Sequence, residues 1–262
     1  MAEPWLRPLG DTGLLVSALG LGTVKLGRDE GVKYPAAYTL PDPASARELL
    51  ALAQDLGVNF LDTAPAYGSS EERLGELLRG QRQRWVIASK VGEIFDGGVS
   101  QFDFSPVAVR ASVHRSLRRL QTDWLDLVLI HSNGRDADIL THSGALEALR
   151  DLQLEGLVHS VGISTKTVEG GMQAARCVDV VMATLNPSHL QEWPVFEACA
   201  RSGCAVLVKK ALASGHGAVG AGAVSAALSL ALSAPAVASV VVGTIQPVHL
   251  RANVAAAHAA LL

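Results

Sequence analysis

Short apolar, β-branched runs recur eight times along this chain, each followed by a segment of helical periodicity, and that alternation restricts the fold more than any other feature of the sequence. The runs fall at residues 17–22, 59–63, 85–90, 125–131, 158–164, 178–183, 205–209 and 239–243. The helical segments fall at 43–57, 70–79, 106–120, 144–155, 167–176, 195–203, 223–233 and 247–261. Most of the runs lack polar alternation, which marks strands covered on both faces and hence a parallel sheet. Parallel neighbours need crossover helices of one hand, and eight such units close a cylinder. The expectation is an α/β fold: an eight-stranded parallel (β/α)8 TIM barrel formed by residues 1–262 as one domain. Ahead of the first run, Trp5 to Leu9 and Leu14 to Ser17 flank Gly10-Asp-Thr-Gly13, the pattern of a β-hairpin, which is expected to plug the bottom of the barrel. A doubly wound open sheet is the alternative. It would carry G-x-G-x-x-G after its first strand, and Gly20-Leu-Gly22-Thr-Val-Lys25 lacks the third glycine.

Composition supports a large core and narrows the partners. Hydrophobic residues make up 49% of the chain and charged residues 18%, enough apolar material to fill and coat a barrel. With 22 Lys+Arg against 25 Asp+Glu, the formal charge of -3 supplies no broad basic field, so nucleic acid is not an expected partner. The three cysteines have no C-x-x-C spacing, which argues against a disulfide framework and against a metal site. The first seven residues mix charge and proline where a signal peptide needs an apolar run, so a cytoplasmic enzyme is expected. No Lys, Arg, Asp or Glu lies between Lys210 and Arg251, but that stretch is rich in Ala, Gly and Ser and is cut by Pro235. It reads as a buried helix and a buried strand rather than a membrane span.

Active sites of β/α barrels lie at the C-terminal ends of the strands, so ionisable residues that close a run carry extra weight. Asp62 closes the second run, with Tyr67 in the loop after it; Lys90 closes the third and His131 the fourth. Each alone has a plain structural reading, as a turn cap, a rim aromatic, a solvated charge or a strand-end histidine. Adjacent strands converge on one pocket, however, and a buried Lys90 needs a carboxylate that Asp62 can supply. An ammonium beside a phenol favours the phenolate, so Lys90 is expected to lower the pKa of Tyr67 from its usual value near ~10. His131 can then donate a hydrogen bond to an oxygen on which charge develops. The four suit protonation of a carbonyl oxygen.

The segment Asp62-Thr-Ala-Pro-Ala-Tyr67-Gly68, the strand-end Lys90 and the strand-end His131 resemble the aldo-keto reductases. The resemblance extends over nearly the whole chain. It takes in Leu9-Gly-Asp-Thr-Gly-Leu14, Val16 to Gly22, Ser116 to Leu127, Gly162-Ile-Ser164 and Gly243 to Asn253. It implies a nicotinamide cofactor across the barrel mouth, hydride delivery to the carbonyl carbon of a small molecule, and Tyr67 as the acid. It also implies a monomer. By the same resemblance Thr23 and Asp62 lie near the nicotinamide and Ser164 contacts its carboxamide. Lys209 and Lys210 line the nicotinamide and pyrophosphate, and Gly243, Thr244, Arg251 and Asn253 surround the adenosine end. The family pattern favours NADP where basic residues open the last helix; here only Arg251 and His249 are available, so NADP is favoured with NAD possible.

Several positions depart from the family. Thr165 stands in place of a usual asparagine, Met182 in place of a carboxamide-binding glutamine, and Lys209 in place of an aromatic stacked on the nicotinamide; Asn186 could compensate for Met182. The stretch 213–222 is glycine-rich where many members have a longer substrate-covering loop, and a mobile, more open mouth is expected. The run Gly217-Ala-Val-Gly-Ala-Gly222 lacks the Lys-Ser/Thr of a nucleotide loop. Rim candidates are Lys25, Tyr34, Tyr38, Phe95, Trp193 and His216, with 28–41 as a rim loop. Two other functions stand beside the reductase: a cofactor-binding redox sensor with little turnover, motivated by the departures, and a Schiff-base lyase using Lys90, against which Asp62 argues by keeping that amine protonated.

Overall fold

The computed structural model describes residues 4–217 and 222–262. The first three residues of the N-terminal stretch and residues 218–221 of the glycine-rich run lie outside the described residues. In chain order the strands are β1 (Leu6–Pro8), β2 (Leu15–Ser17), β3 (Leu19–Gly22), β4 (Phe60–Asp62), β5 (Val86–Val91), β6 (Glu93–Asp96), β7 (Val99–Phe102), β8 (Leu125–His131), β9 (Val158–Ser164), β10 (Val180–Thr184), β11 (Ala205–Lys209) and β12 (Val237–Val242). Eight of them, β3, β4, β5, β8, β9, β10, β11 and β12, close a parallel barrel in that order, with β12 returning to β3. The fold is the (β/α)8 TIM barrel, and the eight apolar runs are its staves.

Side chains alternate between the two faces of each strand, and the alternation decides what sits at the mouth. Phe60, Ala88, Leu127, Leu129, Val180, Met182, Ala205, Leu207 and Ala238 form one inner core, while Val128, Ile130, Val161, Ile163, Val181, Val206 and Val208 join the outer layer beneath the helices. Gly20 makes room inside: a Cβ there would lie 2.4 Å from the Phe60 ring. Leu9, just after β1, and Val16, in its antiparallel partner β2, belong to the inner core as well, so the hairpin closes the bottom as expected.

The helices present narrow apolar stripes to the outer layer. In Pro43–Asp55, Asp42 accepts hydrogen bonds from the Ala44 and Ser45 amides, Pro43 opens the first turn, and Ala46, Leu49, Leu50 and Ala53 are buried. Pro106–Leu120 starts in the same way on Ser105 and ends on Gln121 at φ 52. The uncharged stretch after Lys210 resolves into the helix Ala223–Ser233 and β12. Among the described residues no helix is long and apolar enough to cross a membrane.

Near the barrel bottom, Asp126 accepts from Arg82 at 2.7 Å, from the Ile87 amide at 2.9 Å and from the Trp124 indole at 3.2 Å. Both charged partners are largely buried. Removing one member of such a pair strands the other charge, which costs about 3–5 kcal/mol. Asp126→Ala is therefore expected to shift the urea unfolding midpoint sharply downward without loss of barrel secondary structure; an unchanged midpoint would show that Arg82 is adequately solvated by its carbonyl partners.

Candidate active site

Phe60 and Ala88 point inward, so Asp62 and Lys90, two residues further along their strands, point inward too; Leu129 does the same for His131, and Leu207 for Lys209. Parity and the common strand direction thus gather these side chains at one open end. Lys90 is 2% exposed, and its Nζ donates to Asp62 Oδ1 at 2.6 Å and to the Thr63 carbonyl at 2.9 Å. Burial opposes the lysine's charge, but Asp62 and then Tyr67 outweigh it and hold its pKa above the ordinary value.

Tyr67 sits in the turn after β4, where its amide donates to the Ala64 carbonyl and its own carbonyl accepts from Ser70. The turn is locked by close backbone packing. Gly68 lies at φ +59, and a Cβ there would be 2.1 Å from the Gly27 carbonyl oxygen; a Cβ on Gly27 would be 2.0 Å from the Ser70 amide. The Tyr67 ring lies 4.6 Å from Lys90 Nζ, measured to its centroid, and meets His131 edge-on with centroids 6.3 Å apart. Burial raises the Tyr67 pKa to about 12; Lys90 acts in the lowering direction, as expected, but Asp62 works against it and burial dominates. The phenol therefore keeps its proton at neutral pH. His131 is held below the ordinary imidazole value, chiefly by burial and then by Lys90 and Lys209, against the opposing pull of Glu93.

The remaining expected positions fare unequally. Thr23 is buried and its hydroxyl donates to the Asp62 carbonyl at 3.0 Å while accepting from Ser70, so it ties β3 to β4. Ser164 accepts at 2.9 Å from Lys209 Nζ, which also donates to the Thr165 carbonyl. Burial drops the Lys209 pKa to about 8, with Glu192 opposing and Lys210 adding to the fall. Asn186 donates to the Lys210 carbonyl after β11 and accepts from the Ser188 amide in its own loop, while Met182 packs in the inner core. Lys210 has its pKa lowered by burial and by Lys33. Thr244 caps the turn before Pro247–Ala260, Arg251 is exposed on that helix and Asn253 is buried.

Two features match the demands of a nicotinamide dinucleotide. Thr165 Oγ1 is buried and without a hydrogen-bond partner, beside Ser164, where a carboxamide would supply one. The last helix opens on Pro247 with no acid in its first turn, so no like charge opposes an anion there, although the His249 and Leu250 amides already donate to the Gln246 carbonyl; Gly243 holds open the ground beneath the Tyr34 hydroxyl. Both features are compatible with the group.

Sequence reasoning missed Glu93, whose Oε2 lies 2.7 Å from His131 Nδ1. It belongs to the hairpin β6 and β7, announced in the sequence by Asp96-Gly97-Gly98. Two rim candidates do reach the mouth: Lys25 Nζ lies 3.9 Å from the Tyr34 ring centroid, and the Tyr34 hydroxyl overlooks Gly243. Phe95 is stacked under Arg28, which holds the Tyr67 turn through the Ala66 carbonyl.

Comparison with known proteins bears on the family and the fold. The family model for the aldo/keto reductase family matches residues 18–219. A solved aldo-keto reductase structure from Pseudomonas aeruginosa is 54% identical, with a TM-score of 0.90, covering 98% of this chain and 96% of that one. The L-galactose dehydrogenase of Arabidopsis thaliana is 38% identical over 169 residues, 63% of this chain and 49% of that protein. The NADH-specific methylglyoxal reductase of Escherichia coli is 29% identical over 168 residues, 59% of this chain and 50% of that protein. The chain thus spans about half the length of these curated relatives, whose names are those of oxidoreductases. With the family model matched over residues 18–219 and the fold shared with a 54% identical structure, the chain belongs to the aldo/keto reductases.

Proposed function

We propose that this chain reduces the carbonyl group of a small molecule to an alcohol at the expense of NADPH or NADH, with Tyr67 as the proton donor. The observation that carries this reading is the Tyr67 phenol held between the buried Lys90–Asp62 pair and His131. Asp62 keeps Lys90 charged; Lys90 stabilises the phenolate left when the proton departs; His131 meets the Tyr67 ring edge-on from the barrel strand after that of Lys90. The bound cofactor supplies hydride to the carbonyl carbon. Thr23, Ser164, Thr165 and Lys209 would face its nicotinamide half, Lys210 its pyrophosphate, and Gly243, Thr244, Arg251 and Asn253 its adenosine half. Exposed Arg251 is the group available to a 2′-phosphate, which favours NADP, as does the absence of an acid from the first turn of the last helix; NAD, which lacks that phosphate, would bind through the remaining groups.

A second reading, a cofactor-binding redox sensor, draws on the internal use of polar groups near the carboxamide position: Lys209 occupies Ser164, and Asn186 donates to the Lys210 carbonyl. One experiment separates the two. Fluorescence titration with NADPH and with NADH measures binding, and a panel of aldehydes and ketones then measures oxidation of the cofactor. The reductase reading expects turnover with at least one carbonyl class; tight binding with none across the panel would transfer the case to the sensor.

A further inference from the structure

The hairpin β6–β7 rises from the end of β5 three residues past Lys90, and its first residue turns back over the barrel mouth. Glu93 Oε2 stands 2.7 Å from His131 Nδ1, and the Ser100 hydroxyl, from β7, donates to Glu93 Oε1 at 2.6 Å. The side chains of Glu93 and His131 are only 12% and 20% exposed. The contact is that of an ion pair; the carboxylate oxygen lies off the direction of the ring nitrogen's hydrogen bond. Even so, its distance fixes a proton. A carboxylate charge 2.7 Å from Nδ1 stabilises the N–H dipole there and disfavours a bare nitrogen, so hydrogen stays on Nδ1 in both charge states of the ring and Nε2 is the atom that titrates.

That assignment conflicts with a neutral His131 donating to a substrate oxygen. A neutral ring with its proton on Nδ1 offers only a lone pair at Nε2. Donation requires the imidazolium, whose charge is compensated at 2.7 Å by Glu93. We propose that Glu93 is a positioning residue: it pins the first proton of His131 to Nδ1 and compensates the second. The ring then meets a carbonyl oxygen as a charged hydrogen-bond donor and an alcohol hydroxyl as a neutral acceptor. The catalytic consequence rests on the carbonyl-reductase reading; the pinned proton does not.

The surrounding charges set the sign of the pH dependence. Burial, Lys90 and Lys209 oppose the imidazolium, while Glu93 favours it; the Tyr67 ring facing His131 is uncharged at neutral pH. Glu93 stays ionised throughout, because His131, Ser100 and Lys166 outweigh its burial and bring it down to about 2, and Arg28 faces it from the rim loop. Removing the carboxylate must therefore lower the His131 midpoint further. The reductive kcat/KM should fall as pH rises through that midpoint, and alcohol oxidation should rise through it.

The test is a histidine nitrogen-15 NMR titration of the full chain, wild type and Glu93→Gln, read beside the two pH–rate profiles. The wild-type neutral ring is expected to be protonated on Nδ1. In Glu93→Gln the midpoint should drop by about one pH unit or more, the neutral ring should take up the Nε2–H form, and the reductive limb should move by the same amount. Glu93→Asp should restore part of each change. Ser100→Ala, which keeps the charge but frees it from its anchor, should give a smaller shift in the same direction and serves if Glu93→Gln does not fold. A wild-type neutral ring protonated on Nε2, or a midpoint and limb unmoved in Glu93→Gln, overturns the proposal. A pinned Nδ1 proton in a protein that reduces no carbonyl overturns the reductase reading and the catalytic consequence together, and leaves only the Glu93–His131 pair.

Discussion

Tyr67→Phe should lower kcat for carbonyl reduction by about 10² to 10⁴-fold, the usual contribution of a positioned proton donor, with the affinity for cofactor nearly unchanged. The phenol combines a transferable proton with a buried neighbouring ammonium able to stabilise what remains, at 4.6 Å from the ring centroid. Because burial raises its pKa to about 12, the donor form is fully populated at neutral pH. The substitution removes only an oxygen and leaves the ring edge-on to His131. Circular dichroism and unfolding should therefore match the wild type while steady-state turnover collapses. Turnover retained within a few-fold would place the proton donor elsewhere.

The second large effect concerns the buried pair beneath Tyr67. Lys90→Met leaves the Asp62 carboxylate without its 2.6 Å partner in a nearly dry site, and such a loss is expected to cost about 3–5 kcal/mol of stability. Replacing both members with apolar residues of similar volume, Lys90→Met with Asp62→Leu, should recover most of that loss, since the pair's attraction is largely offset by its desolvation. Neither variant should reduce carbonyls at an appreciable rate, because the phenolate has lost its counter-charge. Denaturant titration and turnover measured on the same samples check both halves. A double variant as unstable as the single would mean that Lys90 is held by more than Asp62, and a single variant with substantial turnover would remove Lys90 from the chemistry.

How much of this was written in the sequence follows from which forces local residue order can express. Strands covered on both faces must be apolar without interruption, so β3, β4, β5 and β8 through β12 stood out, and their parity then carried Asp62, Lys90 and His131 to one end. The boundaries moved where tertiary pairing decided them: Val178 precedes β10 because its amide is taken by the Ala174 carbonyl at the end of the preceding helix, and Thr184 extends that strand by pairing with Lys209. The hairpin β6–β7 escaped notice because most of its residues are exposed or only half-buried, so it lacks an apolar stripe, although its Asp-Gly-Gly turn was visible. The helix Asp136–His142 escaped as well; it is short and opens on acidic residues, and its place is fixed by Asp136, which accepts from the Lys166 and Thr167 amides.

The site was legible as a set of residues and illegible as a set of charges. Proximity of Lys90 to Tyr67 pointed toward a lowered phenol pKa, whereas burial, which no single residue encodes, carries the result the other way. The same limit applied to the cofactor cradle. Thr23, Ser164 and Asn186 were identified by resemblance as groups that touch a ligand, but only the three-dimensional arrangement shows their polar atoms engaged with Asp62, Lys209 and Lys210. Thr165, a departure from the family pattern, is the position left with a buried oxygen to satisfy.

The central claim is that hydride reaches a carbonyl carbon in this barrel while Tyr67 protonates the oxygen. Its most direct measurement is transfer of deuterium from nicotinamide cofactor labelled at its transferable position, read by mass spectrometry of the alcohol formed from a panel of aldehydes and ketones. The account predicts one deuterium on the carbinol carbon with the wild-type protein and, in the same time, at least about a hundredfold less labelled alcohol with Tyr67→Phe. Tight cofactor binding with no labelled alcohol from any carbonyl, or equal labelling by the two proteins, would contradict it.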